Sequence, residues 1–259
     1  MNKSQIILSV LAIALVVFLF QLPTVVVENE TGAVVEMHDM GVSDTDATAI
    51  QSLRDLVIKS ESQNLANFAD SLAKYYLKYG YLDSAVSVAG EYLVKEQSSL
   101  KSLRSAGNVY YAAFERSQTS EEATERIALA RNVYQQIVEL DSEDLLSQTR
   151  LAMTMVTTEN PMAGIMMLRK VLEVDPEFRD AILNLGLLSI RSGQYDKAVD
   201  RFSKLMEKDS SDYEALLYLA IATKEIEPEL ATIYFEQIVE TTGADPALVV
   251  TAQQYLQEN

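Results

Sequence analysis

One histidine and no cysteine occur in 259 residues, and those two counts remove most side-chain chemistry from consideration. Without cysteine there is no thiolate nucleophile, no disulfide, no Cys-ligated zinc, no CxxCH haem attachment and no lipid-modified cysteine. His38 has no serine or second histidine in register with it, so a His-based triad or multi-His metal site has no support, and it reads as a solvated linker side chain. Carboxylates are abundant, 38 Asp and Glu against 21 Lys and Arg, so acidic pairs fall close together by chance. None is attached to a local signature: GxSxG, HExxH, GxxxxGK[ST] and GxGxxG are all missing. Asp39, Asp44 and Asp46 lack the spacing and the glycine of a calcium loop. Glu28, Glu30, Glu121 and Glu122 read as solvated charge. The expectation is a chain that is not an enzyme and takes no cofactor or metal. A net charge of −17 repels phosphate backbones, which argues against nucleic acid as a partner.

What remains is surface, and the elements that would present it are helical. The chain is 48% hydrophobic, enough for a packed core and too much for wholesale disorder. Nine glycines and five prolines are too few for a turn-rich β fold. The first element is the most apolar: from Ile6 to Leu22 only Ser9 and Gln21 are polar, and the run continues through Val27. As a helix rising about 1.5 Å per residue, residues 6–27 reach roughly 33 Å, the thickness of a bilayer core. No small-x-small cleavage site follows within Gln21-Leu22-Pro23-Thr24-Val25, which favours a retained anchor over a cleaved leader. All 38 acidic residues, and every basic residue but Lys3, lie beyond the span. The positive-inside rule then places residues 1–5 in the cytoplasm and the rest outside. In a bacterium that means a single-pass inner-membrane protein with its soluble part in the periplasm. Residues 28–43 read as a linker, with a short hairpin around Asn29–Gly32 as an alternative.

Beyond the linker the sequence repeats. Leu151-Ala152, Leu185-Gly186 and Leu219-Ala220 stand 34 residues apart, and Leu72-Ala73 and Ala106-Gly107 form a similar pair upstream. Small and large residues four apart follow three of these pairs: Ala198 and Phe202, Ala231 and Phe235, Ala130 and Tyr134. Asp141-Ser142, Asp175-Pro176 and Asp209-Ser210 mark the ends. This skeleton resembles the tetratricopeptide repeat (TPR) family. The resemblance implies an all-α TPR solenoid of five helix-turn-helix repeats at 66–99, 100–144, 145–178, 179–212 and 213–245. Ser142 and Ser210 can cap the following helices, and Gly164 stands where alanine is usual, a weaker but sterically compatible choice. The second repeat is longer than the others, with the extra residues between Tyr111 and Arg131. Thr119-Ser120-Glu121-Glu122 resembles a capping box there, so extended helices or a protruding turn are expected. An amphipathic helix within 44–65 is expected to cap the first repeat or mediate dimerisation. Asp245-Pro246 opens a C-terminal capping helix over 246–259.

The resemblance also implies that the first helix of each repeat lines a concave face. Its early half offers Lys74, Lys78, Lys101, Arg104, Asn108 and Tyr111, a locally basic patch. Its later half offers an apolar stripe of Met153, Val156, Leu183, Leu187, Ile190, Leu217 and Ile221. Exposed, that stripe would form a groove for a partner's helix or extended segment; alternatively, superhelical curvature or the C-terminal helix covers it. The slots with which some TPR proteins hold a C-terminal carboxylate contain Asp70, Lys74, Ser105, Leu146 and Arg150 here, a broken pattern. The functional expectation is a membrane-anchored interaction scaffold outside the cytoplasmic membrane, assisting folding or assembly of envelope or membrane protein complexes. The alternatives are a permanent accessory subunit of a membrane complex and a secreted binding module.

Overall fold

A computed structural model describes residues 42–60, 64–95, 99–157, 160–241 and 243–258. The expected span at 6–27, nearly all of the expected linker and His38 lie outside these residues. Among the described residues no helix is long and apolar enough to cross a membrane.

Among the described residues the chain forms twelve α-helices and no strand. A leading helix α1 (Asp44–Lys59) precedes five antiparallel pairs, and a last helix α12 (Pro246–Gln257) follows them. The pairs are α2 (Leu65–Lys78) with α3 (Leu82–Val88), α4 (Leu100–Glu115) with α5 (Ser120–Leu140), and α6 (Leu145–Val156) with α7 (Pro161–Val174). Then come α8 (Arg179–Arg191) with α9 (Tyr195–Lys208) and α10 (Tyr213–Lys224) with α11 (Pro228–Glu240). Helix α3 passes into a π-helical segment at Ala89–Lys95. Each helix packs on the next in sequence, and the first helices of neighbouring pairs also pack directly in α2–α4, α6–α8 and α8–α10.

In the second and fourth pairs a glycine on the first helix faces an aromatic ring on the second. A Cβ added at Gly186 would stand 2.5 Å from the Phe202 ring, and one at Gly107 would stand 2.8 Å from Tyr134. Both rings are buried, so neither can yield without disturbing its neighbours. Gly164 corrects the expectation that glycine is the weaker choice where alanine is usual: an added Cβ would stand 2.4 Å from the Ala152 carbonyl oxygen. Here the close approach is backbone to backbone, which only glycine permits.

The turns between pairs use one device at a period of 34. Asp141, Asp175 and Asp209 each end a helix, with the backbone N–H bonded to the carbonyl four residues back. Each carboxylate then accepts the N–H two residues on, from Glu143, Glu177 and Ser211 at 2.9–3.2 Å. Ser142 and Ser210 do not cap the next helices. Asp144 and Asp212 do, accepting from the N–H of Ser147 at 2.9 Å and of Ala215 at 3.0 Å. The turn begun by the first aspartate carries the chain past the serine and delivers the second aspartate to the helix start, where a carboxylate also faces the positive end of the helix dipole.

The extra residues of the second pair lengthen both helices, to 16 residues in α4 and 21 in α5. Thr119 Oγ1 accepts from the Glu122 N–H at 3.2 Å, while Glu122 reaches back to the Gln118 N–H rather than to that of Thr119. Arg126 fills the junction this creates. It is 4% exposed and donates to Ser117, to Glu122 at 3.2 Å and to Asp83 of α3 at 2.7 Å, tying the second pair to the first.

Candidate functional site

The face expected to be the inner one is carried by the first helices of the pairs, α2, α4, α6, α8 and α10. Its first part is a cleft of about 570 Å³ between α2 and α4, bordered by Asn67, Lys74, Lys101, Arg104 and Asn108. The spacing that brought these cations together also brought them partners. Lys74 Nζ lies 2.7 Å from Asp70 one turn back, and Asp70 also accepts from the Ser105 hydroxyl. Lys78 pairs with Asp46 of α1 at 2.7 Å, where Asp46 also accepts from the Tyr79 hydroxyl. Those two donors, Lys78 first, hold the Asp46 carboxyl below its usual value. Lys101 donates to the Asn67 side-chain oxygen at 2.8 Å. Asn108 accepts from the Tyr134 hydroxyl at 3.0 Å. The expected basic patch is therefore a lattice of mixed charge, in which Lys101 has no carboxylate within ion-pair distance among the described residues.

Arg104 is turned to a structural task. It donates to Asp144 at 2.7 Å and to Asp141 at 3.0 Å, across the junction between the second and third pairs. Asp144 thus caps α6 and holds the preceding pair with one carboxylate. Burial works to raise its pKa, but the bonds from Ser147 and Arg104 outweigh it, so the group titrates below the ordinary aspartate range. The same construction recurs with Arg179, which donates to both oxygens of Asp212 at 2.7 and 2.8 Å and to Glu214 at 2.7 Å.

The apolar stripe is largely core. Met153, Val156, Leu183 and Leu217 are all buried, the last 4% exposed. Leu187, Ile190 and Ile221 are half-buried against the cluster around Phe202 and Phe235. The stripe reads as groove in the sequence because helical periodicity gives the face of a residue but not how tightly neighbouring first helices close over it. Of the residues expected to meet a partner, Lys74, Lys78, Lys101 and Asn108 remain exposed, and Tyr111 is buried.

Between the two halves lies a polar cluster that only Tyr111 foreshadowed. Arg150 of α6 stands over the Tyr111 ring, 5.4 Å from its centroid. Glu115, at the end of α4, reaches water, yet desolvation pushes its carboxyl up against the opposing pull of Arg150 and Arg116. On α10, Tyr218 is raised by burial and then by Glu214 and Glu115. A guanidinium on an aromatic shelf beside a desolvated carboxylate can hold a polar group of a bound chain. Arg150 was visible only as a misfit in the carboxylate-holding pattern. Glu115 and Tyr218 gave no local signal. Among the described residues no group of three or more His, Asp or Glu is placed to hold a metal ion.

Residues 180–211, the α8–α9 pair, match the tetratricopeptide repeat family model. Similar solved structures include a tetratricopeptide repeat protein from Parabacteroides merdae, 16% identical over 82% of this chain and 80% of that one, with a TM-score of 0.60. A thermophilic TPR protein from Thermus thermophilus is 15% identical over 68% of this chain and 90% of that one, with a TM-score of 0.55. The chain has no significant match among curated proteins. With glycine-to-ring helix pairs, turns at a period of 34 and one pair matched in sequence, the described chain is a TPR-type helical solenoid.

Proposed function

We propose that this chain is a protein-protein interaction scaffold, tethered outside the cytoplasmic membrane by residues 6–27, that assists folding or assembly of envelope or membrane proteins. The observation that carries the binding role is the cleft between α2 and α4, with the exposed Lys101 ammonium and the Asn108 amide on its wall and the Tyr111–Arg150 pair next along the inner face. A bound segment would gain hydrogen bonds there, while the tether raises its local concentration near the membrane. The tether rests on the uninterrupted apolar run and the charge asymmetry around it.

A photo-crosslinker placed at Lys101 in intact cells should capture a defined set of envelope proteins, and one placed at the exposed Glu121 on α5 should not. Equal capture from both positions would remove the cleft as the site. Protease added to spheroplasts should degrade the solenoid, and N-terminal sequencing of the membrane-bound protein should begin within residues 1–5. Full protection from protease would reverse the orientation, and a start beyond residue 27 would replace the tether with a cleaved leader.

A further inference from the structure

A second concentration of positive charge among the described residues lies where the third helix pair meets the fourth. A cleft of about 460 Å³ bordered by α7, α8 and α9 carries Arg169, Arg191, Lys197 and Arg201. Arg169 and Arg201 also border an adjoining cleft of about 380 Å³, together with Lys204 and Glu173. The two arginines therefore stand where one trough narrows into the next. Among the described residues none of these five cations lies within ion-pair distance of a carboxylate, unlike Arg104, Arg126 and Arg179. In a chain of net charge −17 this is a local reversal of sign.

Arg201 is held ready for a ligand. Its Nη1 donates to Ser189 Oγ at 2.7 Å and to the Lys197 carbonyl at 3.0 Å, leaving the rest of the guanidinium for another acceptor. Burial first, and then the Arg169 charge, pull its pKa below the ordinary value, with Asp200 opposing. The facing carboxylates, Asp200 and Glu173, do not cancel the cluster. An anion between Arg169 and Arg201 would relieve their repulsion and accept charge-assisted hydrogen bonds from both. The walls are apolar: Val156, Ile165 and Leu188 on one side of the narrowing, Leu172 and Leu185 on the other. A free phosphate would leave those walls wet, whereas a chain alternating carboxylates with apolar side chains would use both features.

We infer that the trough bordered by α7, α8 and α9 is a second binding site, which takes an acidic peptide segment of a partner protein, with a carboxylate between Arg169 and Arg201 and apolar side chains against the flanking walls.

The test uses the full chain and a fluorescein-labelled peptide of glutamates interrupted by leucines, followed by anisotropy. Binding should weaken with added salt, and the peptide with glutamine in place of glutamate should not bind. The double variant R169Q/K204Q changes two exposed side chains, and circular dichroism checks that it stays folded. It should weaken binding by about tenfold, as expected when charge-assisted contacts are lost. K101Q, on the inner face, should leave this binding unchanged, so the outcome is independent of the cleft between α2 and α4. Equal affinity of R169Q/K204Q and the parent would overturn the proposal, as would equal binding of the glutamine peptide. It is also overturned if vesicles containing phosphatidylglycerol bind through these residues while the peptide does not, or if sedimentation shows a self-association that R169Q/K204Q abolishes.

Discussion

At the scale of single residues, the glycines at the contact between paired helices carry much of the packing specificity. Gly164 and Gly186 lie inside helices, where alanine would be favoured by about 1 kcal/mol on backbone grounds. The native packing reverses that preference. At Gly186 an added methyl meets the Phe202 ring at 2.5 Å, and Phe202 is itself fully buried. At Gly164 it meets a backbone carbonyl at 2.4 Å, which can yield only if α6 and α7 separate. Gly186→Ala and Gly164→Ala should therefore each destabilise the protein by about 1–3 kcal/mol in urea titration. Gly164→Ala should show the larger effect, since a ring can tilt and a helix backbone cannot. A gain in stability at either position would mean that the pairs stand further apart than the geometry shows.

At the scale of helices and turns, the informative feature is one aspartate serving two elements. Asp212 caps α10 and pairs with Arg179 of α8, and its carboxyl is 9% exposed. Burial alone would raise its pKa, but the Arg179 and Ala215 bonds more than compensate, so the folded value is lowered. A carboxylate lowered on folding contributes stability above its unfolded pKa of about 3.9, and loses it as pH falls through the folded value. Asp212→Asn keeps an oxygen to cap α10 and removes the charge that Arg179 uses. The variant should be less stable than the parent near neutral pH, and the difference should vanish below the folded pKa of Asp212, as read by thermal melts across an acid series. A difference that persisted at low pH would assign the effect to the cap and not to the pair. Much of this scale was readable in advance: the period of 34, the small-large alternation and the aspartates at the ends of repeats all mark helix pairs. What the residues alone did not disclose were cross-junction choices. Arg104 belongs by spacing to the inner face, yet it turns to Asp144 because a partly desolvated carboxylate binds it better than water does. Ser142 looks like a cap, but it lies inside the turn set by Asp141. Arg126 lies in a segment with no counterpart in the other pairs, so no period pointed to it.

At the scale of the described chain, stability should behave as a sum over neighbours, because each pair buries its apolar face only against the next. The inner face shows the consequence for function: Leu183 and Leu217, which spacing alone offers to a partner, are spent holding α8 and α10 together. What is left for binding is polar and lies at the junctions, where side chains bridge pairs and their charges are only partly matched. The C-terminal end tests the additive picture. Helix α12 lies on α11 and α10, and the Tyr255 ring stacks on Phe235 at 4.9 Å between centroids, nearly parallel at 5°. Lys224 stands over the other side of that stack, 5.1 Å from the Tyr255 ring centre. Ending the chain after residue 244 would expose Phe235, which is otherwise fully buried. Burial of such a ring contributes about 1.5–3 kcal/mol. Hydrogen exchange of the shortened chain should accelerate in α10 and α11, less in α8 and α9, and little in α2 to α5, since no contact there is removed. Uniform acceleration from α2 to α11 would show that the pairs unfold as one cooperative unit and not as a sum of neighbours.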